Sequence, residues 1–262
     1  MLHKHTCTNC RKEFSHKKSK MKFCSLECFY NHKRKQKDSR IHSIFENDVG
    51  PDEAYILGLI CTDGCISYDN HSHRWRMTLS MIDRELINEL RSRYTPHQKL
   101  YEYTPKKGNT AYTIVTSNDF DINFLRSIGI TERKSLTTRV PYIKPNLSSH
   151  LVRGIFDGNG CIYNSTTING SGEYTYKFVS FTTGSQGFAN DLVEILDKHG
   201  IPTRTTMDCR SHTSERLHGT YYVKIYRRQA IKDFYEWIYQ NAGLFLSRKH
   251  DKFTDDDIVR PA

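Results

Sequence analysis

Two stretches of the chain carry apolar residues in nearly continuous runs of helical length and end in almost the same letters. The first, "PDEAYILGLICTDG", opens at Pro51 and Asp52, a pair typical of helix starts. The second, "NLSSHLVRGIFDGNG", offers Ser148 or Ser149 as an N-cap. Both patterns predict a buried helix that ends at a glycine.

Each predicted helix carries a glycine in its middle, Gly58 in the first and Gly154 in the second. A glycine there costs about 1 kcal/mol relative to alanine, so we expect a compensating contact. Two helices can cross backbone to backbone only where side chains are missing. We therefore predict that the two helices pack against each other at these glycines.

The pattern that follows each helix also repeats. Alternating apolar and polar residues predict two strands, a helix, two more strands and another helix in each half of the chain. The order is αββαββα twice, and each half closes on an Arg-Lys pair, in "GITERKS" and "LFLSRKH". We predict an α+β fold with two pseudo-symmetric halves, residues 51–146 and 147–262, preceded by a linker at 39–50 and a small module at 1–38.

The predicted strands keep basic and hydroxyl side chains on one face and apolar side chains on the other. The basic residues assigned to the polar face are Arg74, Arg76, Arg204, Arg210, Lys224 and Arg228. Arginine and lysine can read guanine in the major groove, and an antiparallel ribbon fits there. A solvated sheet face shows the same alternation, so contact with double-stranded DNA and contact with solvent alone both remain open.

The net charge of +10 is concentrated at the N-terminus. Residues 1–40 hold 12 Lys or Arg and three acids, whereas the rest of the chain holds 27 basic and 26 acidic residues. This distribution favours a polyanion partner for a basic arm, or else a tail that serves only solubility. The candidate phosphate contacts in this arm are Lys33, Arg34, Lys35 and Lys37. Since no apolar run reaches the roughly 18 residues of a membrane span, and no signal peptide is apparent, we expect a cytoplasmic protein.

Four of the eight cysteines cluster in the basic module, as Cys7-x2-Cys10 and Cys24-x3-Cys28. Two close pairs of thiolates around a short loop suit tetrahedral Zn²⁺. A segment of about 30 residues buries too little surface to fold alone, so a structural zinc would stabilise it. The alternative is four ordinary buried thiols. The arrangement resembles the small treble-clef-like zinc modules attached to nucleic-acid enzymes.

Asp63 stands where the first apolar helix is predicted to end. A carboxylate is unfavourable at a helix C-terminus by about 0.3 to 1 kcal/mol. A bound hard cation, Mg²⁺ or Mn²⁺, would offset this cost. Alternatively, Asp-Gly and Asn-Gly only cap the helices, with Gly64 and Gly160 in the left-handed conformation. The cysteines beside these motifs are expected to pack in the core: Cys61, Cys65 and Cys161.

These residues resemble the LAGLIDADG homing endonucleases in their single-chain form with two motifs. The nine-letter motif aligns with Ile56–Gly64 and with Val152–Gly160, and the likeness extends over roughly residues 52–255. The resemblance implies that the motif helices pack at a pseudo-twofold axis and that two four-stranded sheets form a saddle over DNA. It also implies a catalytic metal ligand at the eighth motif position, and a basic residue near each scissile phosphate, Lys134 and Lys249. Ordinary surface lysines are the alternative.

The second motif departs from the family at its eighth position, where Asn159 stands in place of an acid. An amide oxygen can ligate a cation but brings no charge. Asp157 lies two positions earlier, about 200° around the helix, and is a poor substitute. A nicking enzyme, a protein with weakened cleavage and a substitution introduced to trap a DNA complex are all compatible with this departure.

Two functions follow from these observations. The first is a monomeric, site-specific DNA endonuclease with Asp63 and Asn159 at a Mg²⁺ site and Lys134 and Lys249 assisting, which by resemblance promotes mobility of its own intron or gene. The second is a nucleic-acid-binding protein, a maturase-like splicing cofactor or a DNA-binding regulator, that keeps the fold and has lost double-strand cleavage.

Overall fold

The computed structural model describes residues 2–38, 43–169, 172–208 and 219–253 of the chain. Its N-terminal module consists of an antiparallel hairpin and a helix, namely β1 (His3–Thr6), β2 (Glu13–His16) and α1 (Leu26–Asp38). Among the described residues, no helix is long and apolar enough to cross a membrane.

The first half follows the predicted order. Its elements are α2 (Pro51–Asp63), β3 (Gly64–Asp69), β4 (Arg74–Met81), α3 (Arg84–Tyr94), β5 (Tyr101–Tyr103), β6 (Ala111–Thr116) and α4 (Asp119–Ser127). The four strands pair antiparallel in the spatial order β3-β4-β6-β5.

The second half repeats this arrangement with a longer hairpin. Its elements are α5 (Ser148–Asn159), β7 (Gly160–Asn169), β8 (Gly172–Thr183), α6 (Gln186–Lys198), β9 (Arg204–Asp208), β10 (Thr220–Ile225), α7 (Arg228–Tyr239) and a short α8 (Ser247–His250). The strand order β7-β8-β10-β9 matches that of the first half element by element. The predicted double αββαββα fold is therefore confirmed.

The starts of the two motif helices differ. In α2, Pro51 is the first helical residue as predicted, and the Glu53 carboxylate accepts from the Gly50 backbone N–H at 3.1 Å. In α5, the predicted serine N-cap is wrong. A 3-10 turn over Pro145–Leu147 runs directly into the helix, so Ser148 already has helical backbone angles (φ −58°, ψ −37°).

The two motif helices cross at their mid-helix glycines, as the sequence predicts. A Cβ on Gly58 would lie 2.2 Å from the Leu151 carbonyl oxygen, and a Cβ on Gly154 would lie 2.0 Å from the Tyr55 carbonyl oxygen. No real side chain fits at such distances, so glycine is required at both positions of the crossing. The surrounding residues of both helices are buried and join the cores of the two halves into one.

Each sheet packs one face against helices and leaves the other open. In the first sheet Met77 and Leu79 of β4 point into the core, and in the second Val179 and Phe181 of β8 do so. The alternating residues of these strands lie on the opposite face. These open faces continue from the ends of the motif helices, since β3 and β7 begin directly after them.

The segment predicted as a linker is attached to the first half in its described part. The buried Asp121 carboxylate of α4 accepts from Ser43 Oγ at 2.6 Å and from the backbone N–H groups of Ile44 and Phe45 at 2.9 and 3.1 Å. Ile44 and Phe45 are themselves buried, and Phe45 stacks on Phe124 with ring centroids 4.9 Å apart. The chain that joins the N-terminal module to α2 is therefore held on the body from Ser43 onward.

Candidate active site and nucleic-acid interface

The C-terminal ends of the two motif helices lie side by side. Asp63 is the last residue of α2 and Asn159 is the last residue of α5. A Cβ built on Gly158 would lie 1.9 Å from Thr62 Oγ1 and 3.2 Å from Asp63 Oδ2. The Asp63 carboxylate therefore packs against the end of the second motif, where it is half-buried, whereas Asn159 is exposed.

The glycines that follow these residues are not left-handed caps. Gly64 has φ −77° and ψ 150°, and Gly160 has φ −82° and ψ 154°, so both are extended and start the next strand. Glycine is needed for space, because a Cβ would lie 2.6 Å from the Ile60 carbonyl oxygen in one case and 2.4 Å from the Phe156 carbonyl oxygen in the other. The interpretation of the motif ends as left-handed caps is therefore wrong.

Asp63 lies in an environment that disfavours its charge. Burial raises the pKa of Asp63, and the ammonium groups of Lys249 and Lys134 lower it by less than burial raises it. A carboxylate whose charge is poorly solvated gains from a cation bound beside it. The Asp63 carboxylate offers a hard oxygen ligand of the kind that a divalent cation such as Mg²⁺ accepts, and Asn159 ends the neighbouring helix.

Lys134 begins a 3-10 turn, Lys134–Leu136, directly after Arg133, whose backbone is left-handed (φ 53°). Its side chain is buried, and its Nζ donates one hydrogen bond among the described residues, to the Thr62 carbonyl oxygen at 3.1 Å. Burial lowers the pKa of Lys134, with Cys61 and Asp63 opposing that shift. Lys134 therefore sits beneath the end of its own motif helix.

Lys249 occupies the matching place in the second half with many more contacts. Its Nζ donates to the carbonyl oxygens of Phe156, Asp157 and Gly160 at 2.7, 2.7 and 2.6 Å. A fourth carbonyl oxygen, of Gly158, lies at 3.4 Å. Burial lowers the pKa of Lys249 to about 8. Neither lysine is the ordinary surface residue that the sequence left as an alternative.

Two buried polar residues of α5 form contacts that the sequence did not predict. The Asp157 Oδ2 accepts from Tyr55 Oη and from the Leu246 backbone N–H, both at 2.8 Å. The fully buried Arg153 donates from Nε to the Leu244 carbonyl oxygen at 2.8 Å. Asp157 is thus engaged with the protein interior, as expected for a residue that does not replace the missing acid. The partners lie about 90 residues away in the chain, so no local sequence pattern reveals them.

The three cysteines beside the motifs differ in their burial. Cys61 is buried as predicted, and burial raises its pKa to about 12. Cys65 and Cys161 are exposed, so their predicted core location is wrong. Each is the second residue of a strand that starts at the motif glycine, and strand alternation places it on the open face of its sheet.

The four N-terminal cysteines form one cluster. The sulfur atoms of Cys7, Cys10, Cys24 and Cys28 all lie within 4.8 Å of one another. Burial opposes ionisation of Cys7, but backbone N–H donors of Cys10 and Cys24 overcome it and lower its pKa to about 6. Four convergent thiols, one already favouring the thiolate, fit a tetrahedral Zn²⁺.

The open sheet faces carry four of the six basic residues that were predicted to lie on strands. Strand register places Arg204 of β9 directly opposite Lys224 of β10, and Arg76 of β4 opposite Ser67 of β3, all away from the core. Arg76 forms an ion pair with Asp69 on the same face. Arg74 alternates with the core-facing residues of β4 and lies on this face too.

Other basic residues lie elsewhere. The predicted strand position of Arg228 is wrong, because β10 ends at Ile225 and Arg228 is the first residue of α7. In α1, Lys33 Nζ lies 4.6 Å from the centre of the Phe29 ring. The backbone of Arg34, Lys35 and Lys37 is helical in α1, and Arg210 lies outside the described residues.

Both halves of the chain match a known protein family. The sequence matches the family described as a LAGLIDADG-like domain over residues 51–129 and 147–239, so that each matched segment contains one motif helix and its sheet. The chain belongs to the LAGLIDADG family. No curated protein sequence matches this LAGLIDADG chain.

Solved LAGLIDADG structures share the fold at low identity. The meganuclease I-AabMI bound to uncleaved DNA gives a TM-score of 0.52 at 13% identity, over 78% of this chain and 87% of that one. A mutant of I-SmaMI gives 0.54 at 12% identity, over 77% and 88%. The I-LtrWI homing endonuclease bound to target DNA gives 0.50 at 12% identity, over 78% and 88%. The likeness covers both halves and establishes their common architecture.

Proposed function

We propose that this protein is a site-specific DNA endonuclease that hydrolyses phosphodiester bonds with a divalent metal at Asp63. The observation that carries the proposal is the placement of Asp63. It is a half-buried carboxylate at the paired ends of two crossed helices, with one buried lysine from each half in electrostatic contact. The family and the DNA-bound relatives of the same fold support a DNA substrate.

The chain's own residues would divide the work at this site. Asp63 and the Asn159 amide would hold the metal, Mg²⁺ or Mn²⁺, which when bound supplies charge stabilisation to the phosphate and lowers the pKa of a water. The buried ammonium groups of Lys134 and Lys249 add positive potential where negative charge develops. The open sheet faces would position the duplex through residues such as Arg204 and Lys224 in the major groove. In this proposal one chain suffices, because its two halves supply both sides of the site.

Asn159 stands where the family motif has an acid, and this difference predicts unequal cleavage of the two DNA strands. An amide is a weaker ligand for a hard cation than a carboxylate, so Asn159 would hold its side of the metal site less tightly than Asp63 holds the other side. We therefore propose nicking, or one fast and one slow cleavage, as the activity of the natural chain.

The test uses a duplex selected from a randomised library by binding to the protein in Ca²⁺. With Mg²⁺ added, the protein should produce nicks, and the Asn159→Asp variant should convert them to double-strand breaks. Equal double-strand cleavage by both proteins would show that Asn159 does not limit the reaction. Absence of cleavage by both, with binding retained, would contradict the endonuclease proposal.

A second function is favoured by one observation, the exposed and uncharged Asn159. A protein that binds nucleic acid without cutting it, as a maturase-like splicing cofactor or a regulator, does not need an acid there. The same assay separates the two functions, because a binding protein would give neither nicks nor breaks after the Asn159→Asp change.

The N-terminal module would add affinity. We propose that Zn²⁺ on Cys7, Cys10, Cys24 and Cys28 holds it folded and that the basic residues of α1 contact phosphates outside the site bound by the sheets. The candidates are Lys33, Arg34, Lys35 and Lys37. This contribution would be independent of DNA sequence and would weaken at high salt.

A further inference from the structure

The two lysines of the site differ in how much of each ammonium group is free. An ammonium has three N–H donors and no acceptor. At Lys249, three backbone carbonyl oxygens lie at 2.6 to 2.7 Å from Nζ. Distances this short account for all three donors. Within the part of the chain that the structure describes, Lys134 Nζ has one carbonyl contact, at 3.1 Å, which leaves two donors for other partners.

The carbonyl groups around Lys249 lie at the C-terminal end of α5, where the Phe156 carbonyl oxygen also accepts from the Gly160 backbone N–H. Phe156 and Asp157 belong to the last turn of α5, and Gly160 follows it. The last four carbonyl groups of a helix have no partner within it, and a cation there also complements the helix dipole. The Lys249 side chain therefore caps the C-terminus of α5, although Lys249 lies 89 residues after Gly160 in the chain.

The segment that leads into Lys249 is fixed at three residues. Ahead of it, Leu246 N–H donates to Asp157, and the Leu244 carbonyl oxygen accepts from Arg153. Next to it, Arg248 forms a two-point ion pair with Asp83 of the first half, at 2.6 and 2.9 Å.

The first motif lacks the corresponding anchors. Its residues aligned with Arg153 and Asp157 are the apolar Leu57 and the thiol Cys61. Lys134 is therefore not held by the same kind of polar framework.

We propose that Lys249 is a positioning residue that caps α5, and that Lys134 is the lysine that meets the scissile phosphate. The inference rests on the proposed endonuclease function. It makes the two halves unequal at the lysine as well as at the acid: the first half contributes Asp63 and Lys134, and the second half contributes Asn159 and Lys249. Restoring an acid at position 159 alone would then leave the second strand slower than the first.

Nuclear magnetic resonance of the lysine ammonium groups tests this without any cleavage. Protein labelled with ¹⁵N-lysine is compared with its Lys134→Arg and Lys249→Arg variants to assign the two Nζ signals. The Lys249 protons should exchange with water about tenfold more slowly than those of Lys134, the factor expected when each is held in a hydrogen bond of ordinary strength. With the selected duplex in Ca²⁺, the Lys134 signal should shift and the Lys249 signal should not. A fast-exchanging Lys249, or a Lys249 signal that shifts with DNA, overturns the inference.

Paired variants give a second readout. Lys134→Met should lower first-strand cleavage on the order of 100-fold with little change in the melting temperature. Lys249→Met should lower the melting temperature, because it removes three short hydrogen bonds from a buried ammonium to backbone carbonyl oxygens. An unchanged melting temperature in Lys249→Met contradicts the capping role. If the natural protein cuts no DNA but Lys249 stays protected, the endonuclease proposal fails and the cap stands, so the two failures are distinguishable.

Discussion

Gly58 and Gly154 face each other across the crossing of the two motif helices, so closely that a Cβ on Gly154 would lie 2.9 Å from the Gly58 Cα and 2.0 Å from a carbonyl oxygen. The backbones touch because neither residue has a side chain. This contact sets where the helix ends fall, and the helix ends carry Asp63 and Asn159.

The first prediction concerns this crossing. Gly154→Ala should lower the free energy of unfolding by about 1 to 3 kcal/mol, since the new methyl group meets rigid backbone and the helices must separate. Chemical denaturation measures the change. Gly243→Ala is the control, because the atoms nearest to its Cβ belong to the Asp52 side chain, with the closest oxygen 2.8 Å away, and not to backbone. A Gly154→Ala protein as stable as the control would show that the crossing is not tightly packed.

The crossing could be predicted from sequence because glycine inside an apolar helix is a local anomaly with few explanations. The double αββαββα order could also be predicted, from the spacing of the apolar residues. The Lys249 contacts were not, because they join residues 89 or more positions apart in the chain, and "SRKH" alone says nothing about which carbonyl groups it meets. The contacts of Arg153 and Asp157 could not be predicted for the same reason. The core location predicted for Cys65 and Cys161 is wrong because the sequence at the start of a strand does not indicate which face of the sheet is open.

The second prediction concerns Asp121, which holds the chain ahead of α2. Burial raises the pKa of Asp121 above its ordinary 3.8, although its hydrogen bonds from Ser43, Ile44 and Phe45 oppose the shift. The folded state therefore binds this proton more tightly than the unfolded state does. Stability from this residue is present at low pH and falls as the pH rises from about 4 through the raised pKa.

Asp121→Asn should remove that pH dependence while its amide oxygen, in the place of Oδ1, keeps accepting from Ser43, Ile44 and Phe45. Asp121→Ala should instead lower the free energy of unfolding by about 1 to 3 kcal/mol at every pH, because buried N–H groups lose their acceptor. Urea denaturation between pH 4 and 8 compares the three proteins. A stability that rises with pH in the natural protein and becomes flat in Asp121→Asn would contradict the direction assigned here.

The third prediction concerns zinc. The purified protein should contain about one zinc per chain, as expected for four thiolate ligands. Cys7→Ser should lose the metal and leave residues 2–38 open to proteolysis, while the body keeps its melting temperature. Cys65→Ser, an exposed thiol outside the cluster, is the matched control. Elemental analysis and limited proteolysis give the answer, and equal zinc in both variants would exclude the four-cysteine site.

The fourth prediction concerns the open face of the second sheet. Arg204 and Lys224 lie opposite each other on adjacent strands of this face, so Lys224→Ala should weaken binding of the selected duplex. If Lys224 contacts a phosphate, the slope of log affinity against log salt should fall by about 1. Lys198→Ala removes an exposed lysine that pairs with Glu194 on α6 and should change neither quantity. Fluorescence anisotropy over a salt series distinguishes the variants, and equal effects would place DNA elsewhere.

The most direct test of the account is strand-resolved cleavage by Asp63→Asn. The selected duplex is labelled differently on its two strands, and the rate for each is measured in Mg²⁺ beside a binding measurement in Ca²⁺. Asp119→Asn, an exposed acid on α4, serves as the control. The natural protein and the control should cut one strand faster than the other. Asp63→Asn should bind equally well and lose the faster cleavage on the order of 100-fold or more. Cleavage by Asp63→Asn at the natural rate would contradict the central claim that the reaction is built around this carboxylate.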